Sequence, residues 1–373
     1  RAKACWPDFA AALAAAHTPT SLRDITATAA PRERLAYDEL LAHQITLALA
    51  RQVERRKKGR AARATGALQS KVLQGLPYKP TGAQSRAIAE IIDDMQSEQR
   101  MNRLLQGDVG AGKTLVAFMA LLAAVESGGQ GVLMAPTEIL ARQHFQGLRP
   151  LAESAGVVLE ILTGRDKGAE RAAKLAALER GDIHILVGTH AVFQETVVFH
   201  DLRLAVVDEQ HRFGVRQRLE LGRKGRQADV LVMTATPIPR TLQFSLMGAR
   251  DLSIINTPPP NRQPIQTEVL VFNQDHIRDA IYFEIERGGQ VFFIHNRVSG
   301  LPEMAQLIRS LCPDVSVGFA HGQLEGHELE ERIFDFIHRK YDVLVCTNIV
   351  ESGVDIPNVN TIIINKSTSE SNL

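Results

Sequence analysis

Eight residues, Gly107-Asp-Val-Gly-Ala-Gly112-Lys113-Thr114, constrain this chain more than any other feature. They fit the pattern G-x-x-x-x-G-K-[ST], a loop that wraps phosphate with backbone N–H groups. The glycines permit the tight curl, and the N-terminus of a following helix adds the positive end of its dipole. Such a loop needs a strand before it and a helix after it. Arg103-Leu-Leu supplies the strand, and the apolar run Leu115–Val125 supplies a buried helix. Gly107, Asp108, Val109, Gly110, Ala111 and Gly112 are thus candidate phosphate ligands. Lys113 adds a point charge for the β- and γ-phosphates, and the Thr114 hydroxyl suits Mg2+. ATP with Mg2+ is the expected occupant. A chance glycine loop is the competing reading, and it leaves both flanks unexplained.

A phosphate loop of this kind needs a carboxylate from a second strand. Leu202-Arg-Leu-Ala-Val-Val207 runs straight into Asp208-Glu209-Gln210-His211. An acid at the carboxyl end of a buried strand lies where open α/β sheets bind ligands. Asp208 is the metal-side candidate. Glu209 is the candidate base that orients an attacking water, a feature of hydrolysis rather than transfer to a bound acceptor. Gln210 and His211 complete the run as further catalytic candidates. Taken alone, an Asp-Glu pair is more simply a strand that stops at the surface; the phosphate loop ahead of it shifts the balance.

Residues 1–70 are rich in Ala, Leu and Arg and hold no strand-like run. Leu35, Leu40, Leu41, Ile45, Leu47 and Leu49 fall near helical spacing, which predicts a helical linker or support. Pro77 and Pro80 punctuate the chain before a helix expected near Thr81. Beyond Arg103, short apolar runs alternate with amphipathic helices. The strand candidates are Gly131–Ala135, Val157–Leu162, Ile183–Val187, Leu202–Val207 and Val230–Thr234, and the alternation predicts a parallel sheet covered on both faces. Asn256–Pro264, with four prolines, cannot continue a helix or a central strand and marks a domain boundary. A second alternating set follows at Gln290–His295, Val315–Ala320, Val343–Thr347 and Thr361–Ile364. The chain therefore reads as α/β, with a helical region at 1–70, a first domain at 71–257 and a second at 258–373.

Composition agrees with two such cores, at 373 residues, 45% hydrophobic and 23% charged. The formal net charge of +1 hides a basic run of Arg51, Arg55, Arg56, Lys57, Lys58, Arg60 and Arg63 against Glu54. That run suits phosphate tracking, though a solvated helix face is the default reading. Cys5, Cys312 and Cys346 are too few and too scattered for a disulfide framework or a zinc site, so a reducing cytoplasm is expected. His190, His211, His295 and His321 lie at strand ends, which favours hydrogen bonding over metal ligation. The longest apolar run is too short to span a membrane, and no membrane partner is expected. The chain begins at Arg1 rather than Met, which reads as a fragment.

Several segments resemble the motifs of the superfamily-two helicases. Asp208-Glu-Gln-His211 and Thr234-Ala-Thr-Pro-Ile-Pro-Arg-Thr241 are similar to their second and third motifs, and Cys346-Thr-Asn-Ile-Val-Glu-Ser-Gly-Val-Asp355 to the fifth. Ala135-Pro-Thr-Glu-Ile-Leu-Ala-Arg-Gln-His144 and Gly188-Thr189-His190 resemble the backbone-contacting motifs of the first lobe. Within the superfamily, Gln106-Gly-Asp-Val-Gly, Asp208–Val215 and Thr234–Thr241 resemble the RecG family and its relatives, the transcription-repair coupling factors. Arg32–Leu41 is RecG-like as well, whereas Arg250–Pro259 and Gly289–Val298 lean toward the coupling factors.

The resemblance implies two tandem RecA-like P-loop domains and an ATP hydrolase coupled to DNA translocation and unwinding. It implies branched or duplex DNA as the partner, in the recombination and repair of stalled forks and Holliday junctions, and a monomer. Coupling-factor translocase is the alternative. The resemblance assigns Thr137, Glu138, Gln143, His144, Gly188, Thr189, His190, Thr234, Thr236, Arg240 and Thr347 to DNA contact or coupling. It places Gly353 and Asp355 on the nucleotide across the cleft, Gln84 on adenine, and Tyr78 stacked on the base. Read from the residues alone, each threonine is more simply a helix cap.

The resemblance also sets expectations about what should surround these motifs. A sixth motif, with arginines that reach across the cleft, is expected after Asn360–Asn365; Lys366-Ser-Thr-Ser-Glu-Ser-Asn-Leu373 stands there instead. Gly222-Arg-Lys-Gly-Arg226 looks similar but lies between the second and third motifs and reads as a basic surface loop. The second domain is thus expected to be cut short, with no wedge domain ahead of the first. An arginine finger is worth roughly a thousand- to a hundred-thousand-fold in rate, so slow turnover is expected. Two other classes compete. A P-loop kinase is disfavoured by Glu209 and the duplicated lobe, and a module that holds ATP and DNA without turnover stays open.

Overall fold

The computed structural model describes residues 6–55, 58–209, 228–235, 250–257, 265–324, 326–347, 356 and 358–365. The chain divides into two compact units, Arg1–Val132 with Phe199–Thr257, and Leu133–Val198 with Pro258–Leu373. The N-terminal region is helical, as its periodicity predicts, with α1 (Phe9–His17), the long α2 (Ala30–Arg55) and α3 (Ala67–Gly75). Then comes α4 (Gly82–Gln96), which starts one residue after the expected Thr81.

The α/β alternation follows: β1 (Asn102–Gly107), α5 (Lys113–Glu126), β2 (Gln130–Met134), α6 (Glu138–Ala155), β3 (Leu159–Leu162), α7 (Gly168–Arg180), β4 (Ile185–Gly188), β5 (Leu202–Asp208), β6 (Asp229–Thr234) and β7 (Asp251–Ile255). These strands form one seven-stranded sheet in the order β3-β4-β2-β5-β6-β1-β7. The β5–β6, β6–β1 and β1–β7 pairs all run parallel. A second set, α8 (Gln274–Glu286), β8 (Gln290–His295), α9 (Leu301–Leu311), β9 (Val317–Ala320), α10 (Gly326–Ile337), β10 (Val343–Cys346) and β11 (Val359–Asn365), builds a four-stranded sheet, β11-β8-β10-β9, parallel throughout. Two parallel-sheet α/β domains are what the sequence pattern anticipates, and every strand expected from it falls within two residues of its expected bounds.

Parallel strands need crossovers, and both faces of the sheet must then be covered. Helix α5 meets that need on all its sides: from Val116 to Ala124 every residue is buried. Its sequence is apolar all round, which is the mark of a fully buried helix. The amphipathic α6 instead buries one stripe, is capped by Thr137 Oγ1 on Leu140 N at 3.3 Å, and stops at Gly156 in the left-handed region.

β7 was not expected as a strand. Its centre, Ser253, is polar yet buried, which hides the alternation that would mark a strand. The hydroxyl has a reason to be inside. Arg103 of β1 donates to Ser253 Oγ at 2.9 Å and to Asp94 at 2.8 Å, and it also meets Glu90, so β7, β1 and α4 share one charged knot. Beside the second sheet Glu284 of α8 does similar work on β11. Burial pushes its carboxyl up, but bonds from Thr361 (2.8 Å), Asn360 (3.1 Å) and Arg287 (2.7 Å) outweigh that and hold it below the usual range. Cys312 and Cys346 are buried free thiols, and burial pushes Cys346 up to about 12. No helix among the described residues is long and apolar enough to cross a membrane.

Asp229, at the first position of β6, is buried with a single backbone donor, Met101 N at 2.7 Å. Burial, with Asp94 adding to it, pushes its carboxyl up to about 7 against the opposing pull of that bond and of Arg100 and Arg203. The fold therefore prefers the protonated form. Its contribution to stability is complete below the unfolded value near 3.8 and is lost as pH rises through about 7. Asp229→Asn, which keeps the acceptor, is expected to melt above the wild type at pH 8, by on the order of a few degrees, with the gap narrowing as pH falls and closing only near 3.8. Thermal denaturation followed by circular dichroism across that range checks it; a gap that widens toward acid pH refutes it.

Candidate functional site

Three parallel strands deliver their carboxyl ends to the same edge of the sheet. Gln106 of β1 pairs in register with Thr234 of β6, and Asp208 of β5 pairs with Met233. The phosphate loop, Asp208–Glu209 and Thr234 therefore arrive side by side, although about 100 residues separate the first two in sequence.

The loop has the backbone its sequence demands. Gly110 and Gly112 sit at φ 76° and 81°, in the left-handed region that side chains avoid. A Cβ on Gly112 would also collide with the Gln84 amide. Lys113 opens α5, and its ammonium donates to Gly107 O at 2.8 Å and Asp108 O at 2.9 Å, so it lies across the mouth of the loop. Burial lowers its pKa, while Asp208, Glu209 and Asp108 pull in the other direction. That opposition places both strand-end acids within electrostatic reach of the lysine. Thr114 follows, half-buried in the first turn, and Val109 stands exposed at the tip.

Glu209 has unusual backbone. At φ 46° it is a non-glycine residue in the left-handed region, and its side chain is only 3% exposed. Its carboxylate accepts from Thr234 Oγ1 at 3.0 Å and from Ala235 N at 2.7 Å, and its own N–H donates to Met233 O at 3.0 Å. The acid beside the phosphate loop is thus bonded directly to the Thr234 segment. Ala235 was not among the expected site residues; a backbone donor leaves no mark in a sequence.

Gln84 sits behind the loop, buried. Its Oε1 accepts from Thr81 N at 2.8 Å, its N–H donates to Thr81 Oγ1 at 3.2 Å, and its Nε2 donates to Ala111 O at 2.9 Å. The first two bonds form a reciprocal helix cap, and the third ties α4 to the phosphate loop. Together they use half of the amide's capacity. Thr81 is a positioning residue that the Thr-x-x-Gln spacing would have disclosed. Tyr78 is 56% exposed, with its ring available to a planar ligand.

Other expected residues gather at the ends of β2 and β4. Ala135 N donates to Gly188 O at 2.9 Å, which joins the two strand ends. Thr137 caps α6, and Glu138, in the first turn, pairs with Arg142 at 2.9 Å and Arg165 at 3.0 Å. Gln143 and His144 lie half-buried on the same helix. Gly188 is crowded by the Leu162 carbonyl, so a side chain there would meet backbone. Thr189 is buried and His190 exposed. Thr347 follows β10 directly and is half-buried. Gln210, His211, Gly222–Arg226, Thr236, Arg240, Gly353 and Asp355 lie outside the described residues.

Comparison with known proteins adds an independent line. A DEAD/DEAH box helicase model matches residues 81–244, beginning at the Thr81 cap, and a helicase conserved C-terminal domain model matches 273–372. The transcription-repair-coupling factor of Bacillus subtilis (strain 168) is 43% identical over 307 residues, which is 82% of this chain and 26% of that protein. A structure of RecG bound to a three-way DNA junction is 37% identical with a TM-score of 0.75, covering 89% of this chain and 45% of that one. Dbp5 of S. cerevisiae, bound to RNA and ADP BeF3, shares the fold alone, at 17% identity and a TM-score of 0.58 over 81% of this chain and 78% of that one. The chain spans about a quarter of the length of the curated relatives it matches. It belongs to the superfamily-two helicases, and its likeness within them runs to RecG and the transcription-repair-coupling factors.

Proposed function

We propose that this chain is the motor portion of an ATP-driven translocase acting on duplex and branched DNA, with 71–257 and 258–373 as its two lobes and 1–70 as a helical support. The observation that carries the reading is the bond pair from Glu209 to Thr234 and Ala235. It connects the acid next to the phosphate loop to a segment that resembles a coupling motif. A nucleotide-dependent shift of Glu209 would be felt by that segment at once.

In this reading the loop N–H groups and Lys113 hold the β- and γ-phosphates, and Glu209 orients the attacking water. Thr114 and Asp208 would hold Mg2+, since hydroxyl and carboxylate oxygens suit a hard divalent cation. When bound, that cation neutralises charge on the terminal phosphates. Gln84 braces the loop at Ala111, and Tyr78 supplies a face for the base. Thr137, Thr189 and Thr347 offer hydroxyl and backbone donors to DNA phosphates, contacts that position without reading sequence. RecG was solved on a three-way junction, which supports branched DNA as the preferred substrate. The 43% identity to coupling factors supports a second reading, translocation on linear duplex. Nucleotide-analogue affinity measured with forked DNA, linear duplex and no DNA separates them. Tightening by forks above duplex supports the first, equal tightening the second, and no effect of either DNA removes the motor assignment.

Two substitutions test the site. Lys113→Ala is expected to weaken nucleotide binding by tenfold or more, on the order of a charged hydrogen bond, with the melting temperature nearly unchanged. Unchanged affinity in calorimetric titration would remove Lys113 from the site. Thr234→Val keeps the shape but deletes the hydroxyl that bonds Glu209. It is expected to leave nucleotide affinity within about twofold, while the effect of DNA on that affinity is lost. Intact DNA stimulation in this variant would show that coupling runs elsewhere.

A further inference from the structure

Helix α5 begins at Lys113 and ends at Glu126, and that last residue is on the face of it misplaced. A helix C-terminus carries the negative end of the dipole, so an acid there is unfavourable. Here the carboxylate is met by the N-terminus of another helix. Glu126 Oε1 accepts from Thr65 N at 3.0 Å, from Ala67 N at 3.1 Å and from the Thr65 hydroxyl; Oε2 accepts from Gly66 N at 3.2 Å. Gly66 N and Ala67 N are orphan donors of α3, which starts at Ala67 without a side-chain cap of its own, and Thr65 adds two more from the residue before the cap. Burial pushes the carboxyl up, and these bonds more than reverse it, holding Glu126 below its usual range. Gln69 of α3 adds a second tie, donating to Met119 O at 2.8 Å halfway along α5.

The same stretch of chain is stitched to α4. Gly59 N donates to Glu98 O at 2.8 Å and Ala62 N to Met95 O at 2.7 Å, and Lys58 bridges Gln99. Residues 58–67 therefore hold the far ends of two helices whose near ends make the phosphate site: α4 carries Gln84 against Ala111, and α5 carries Lys113. The 14 residues of α5 put the clamp about 20 Å from the lysine along the helix axis. From Val116 to Ala124 α5 is buried on all sides, so close packing resists bending between its two ends.

We infer that Glu126 is a positioning residue for the nucleotide site, clamping the strap at 58–67 to the phosphate-loop helix so that nucleotide binding and the helical linker are coupled. The inference rests on the nucleotide site proposed above. Coupling of this kind is reciprocal: if the strap steadies the loop, nucleotide must steady the strap.

The test follows amide hydrogen exchange at 58–75 in the full chain, with and without an ATP analogue and Mg2+, alongside nucleotide affinity. Wild type is expected to exchange more slowly there when nucleotide is bound. Glu126→Ala is expected to lose that protection and about fivefold or more in affinity, the low end of typical coupling. Glu126→Gln keeps one oxygen for the Thr65 and Ala67 donors but sets an NH2 against the Gly66 N–H, and is expected to show a smaller loss of both. A purely structural role would lower the melting temperature yet leave affinity at 20 °C and the protection of the strap intact, and that result overturns the inference. Nucleotide binding by the wild type with no change at 58–75 overturns it alone; no nucleotide binding at all overturns the site and the inference together. Should the alanine variant fail to fold, Glu126→Gln carries the test: reduced affinity and strap protection in a stable protein support the clamp, and wild-type values of both overturn it.

Discussion

Parallel pairing is the constraint on which the rest depends. A strand that runs parallel to its neighbour cannot return by a tight turn, so the chain has to cross over the sheet and come back. Each crossover costs a helix and gains a shared edge where the carboxyl ends collect. That is why Gly107, Asp208 and Thr234, far apart in sequence, are neighbours in the β1–β6–β5 register. The chemistry is a consequence of the topology: the fold assembles oxygen donors and backbone N–H groups at one edge without any local motif having to contain them all.

Periodicity and punctuation made most of this legible. The phosphate loop, the acid after β5, the apolar crossover helix and the second alternating set all announce themselves through local pattern, since each reflects a requirement met within a dozen residues. Features that depend on partners distant in the chain did not. Ser253 inside β7 looks like a loop residue until Arg103 is placed beside it. Glu126 looks like an ordinary surface acid until the start of α3 is placed over it. Gln84 stands out by resemblance, yet its tie to Ala111 O joins residues 27 apart with no local pattern between them. Long-range polar pairing has no period, and so no sequence signature.

The buried charges fall into two kinds, and the difference is instructive. Glu284 has a full set of donors and stays ionised below its usual range. Asp229 has one backbone donor and distant arginines, and its carboxyl is pushed up to about 7. At Glu284 three side-chain bonds outweigh the effect of burial, whereas at Asp229 burial outweighs the one backbone bond. The two ends of β6 also differ in surroundings: Asp229 opens the strand, whereas Thr234, bonded to Glu209, closes it.

The left-handed backbone at Glu209 has one more consequence. Three separate demands meet on that residue: a backbone that tolerates φ 46°, a negative group to receive an amide and a hydroxyl, and a side chain long enough to reach both. Glycine would meet only the first. Glutamine would carry the length without the charge, and aspartate the charge without the length. A substitution at this position therefore forfeits at least one of the contacts that fix the Thr234 segment beside the phosphate loop.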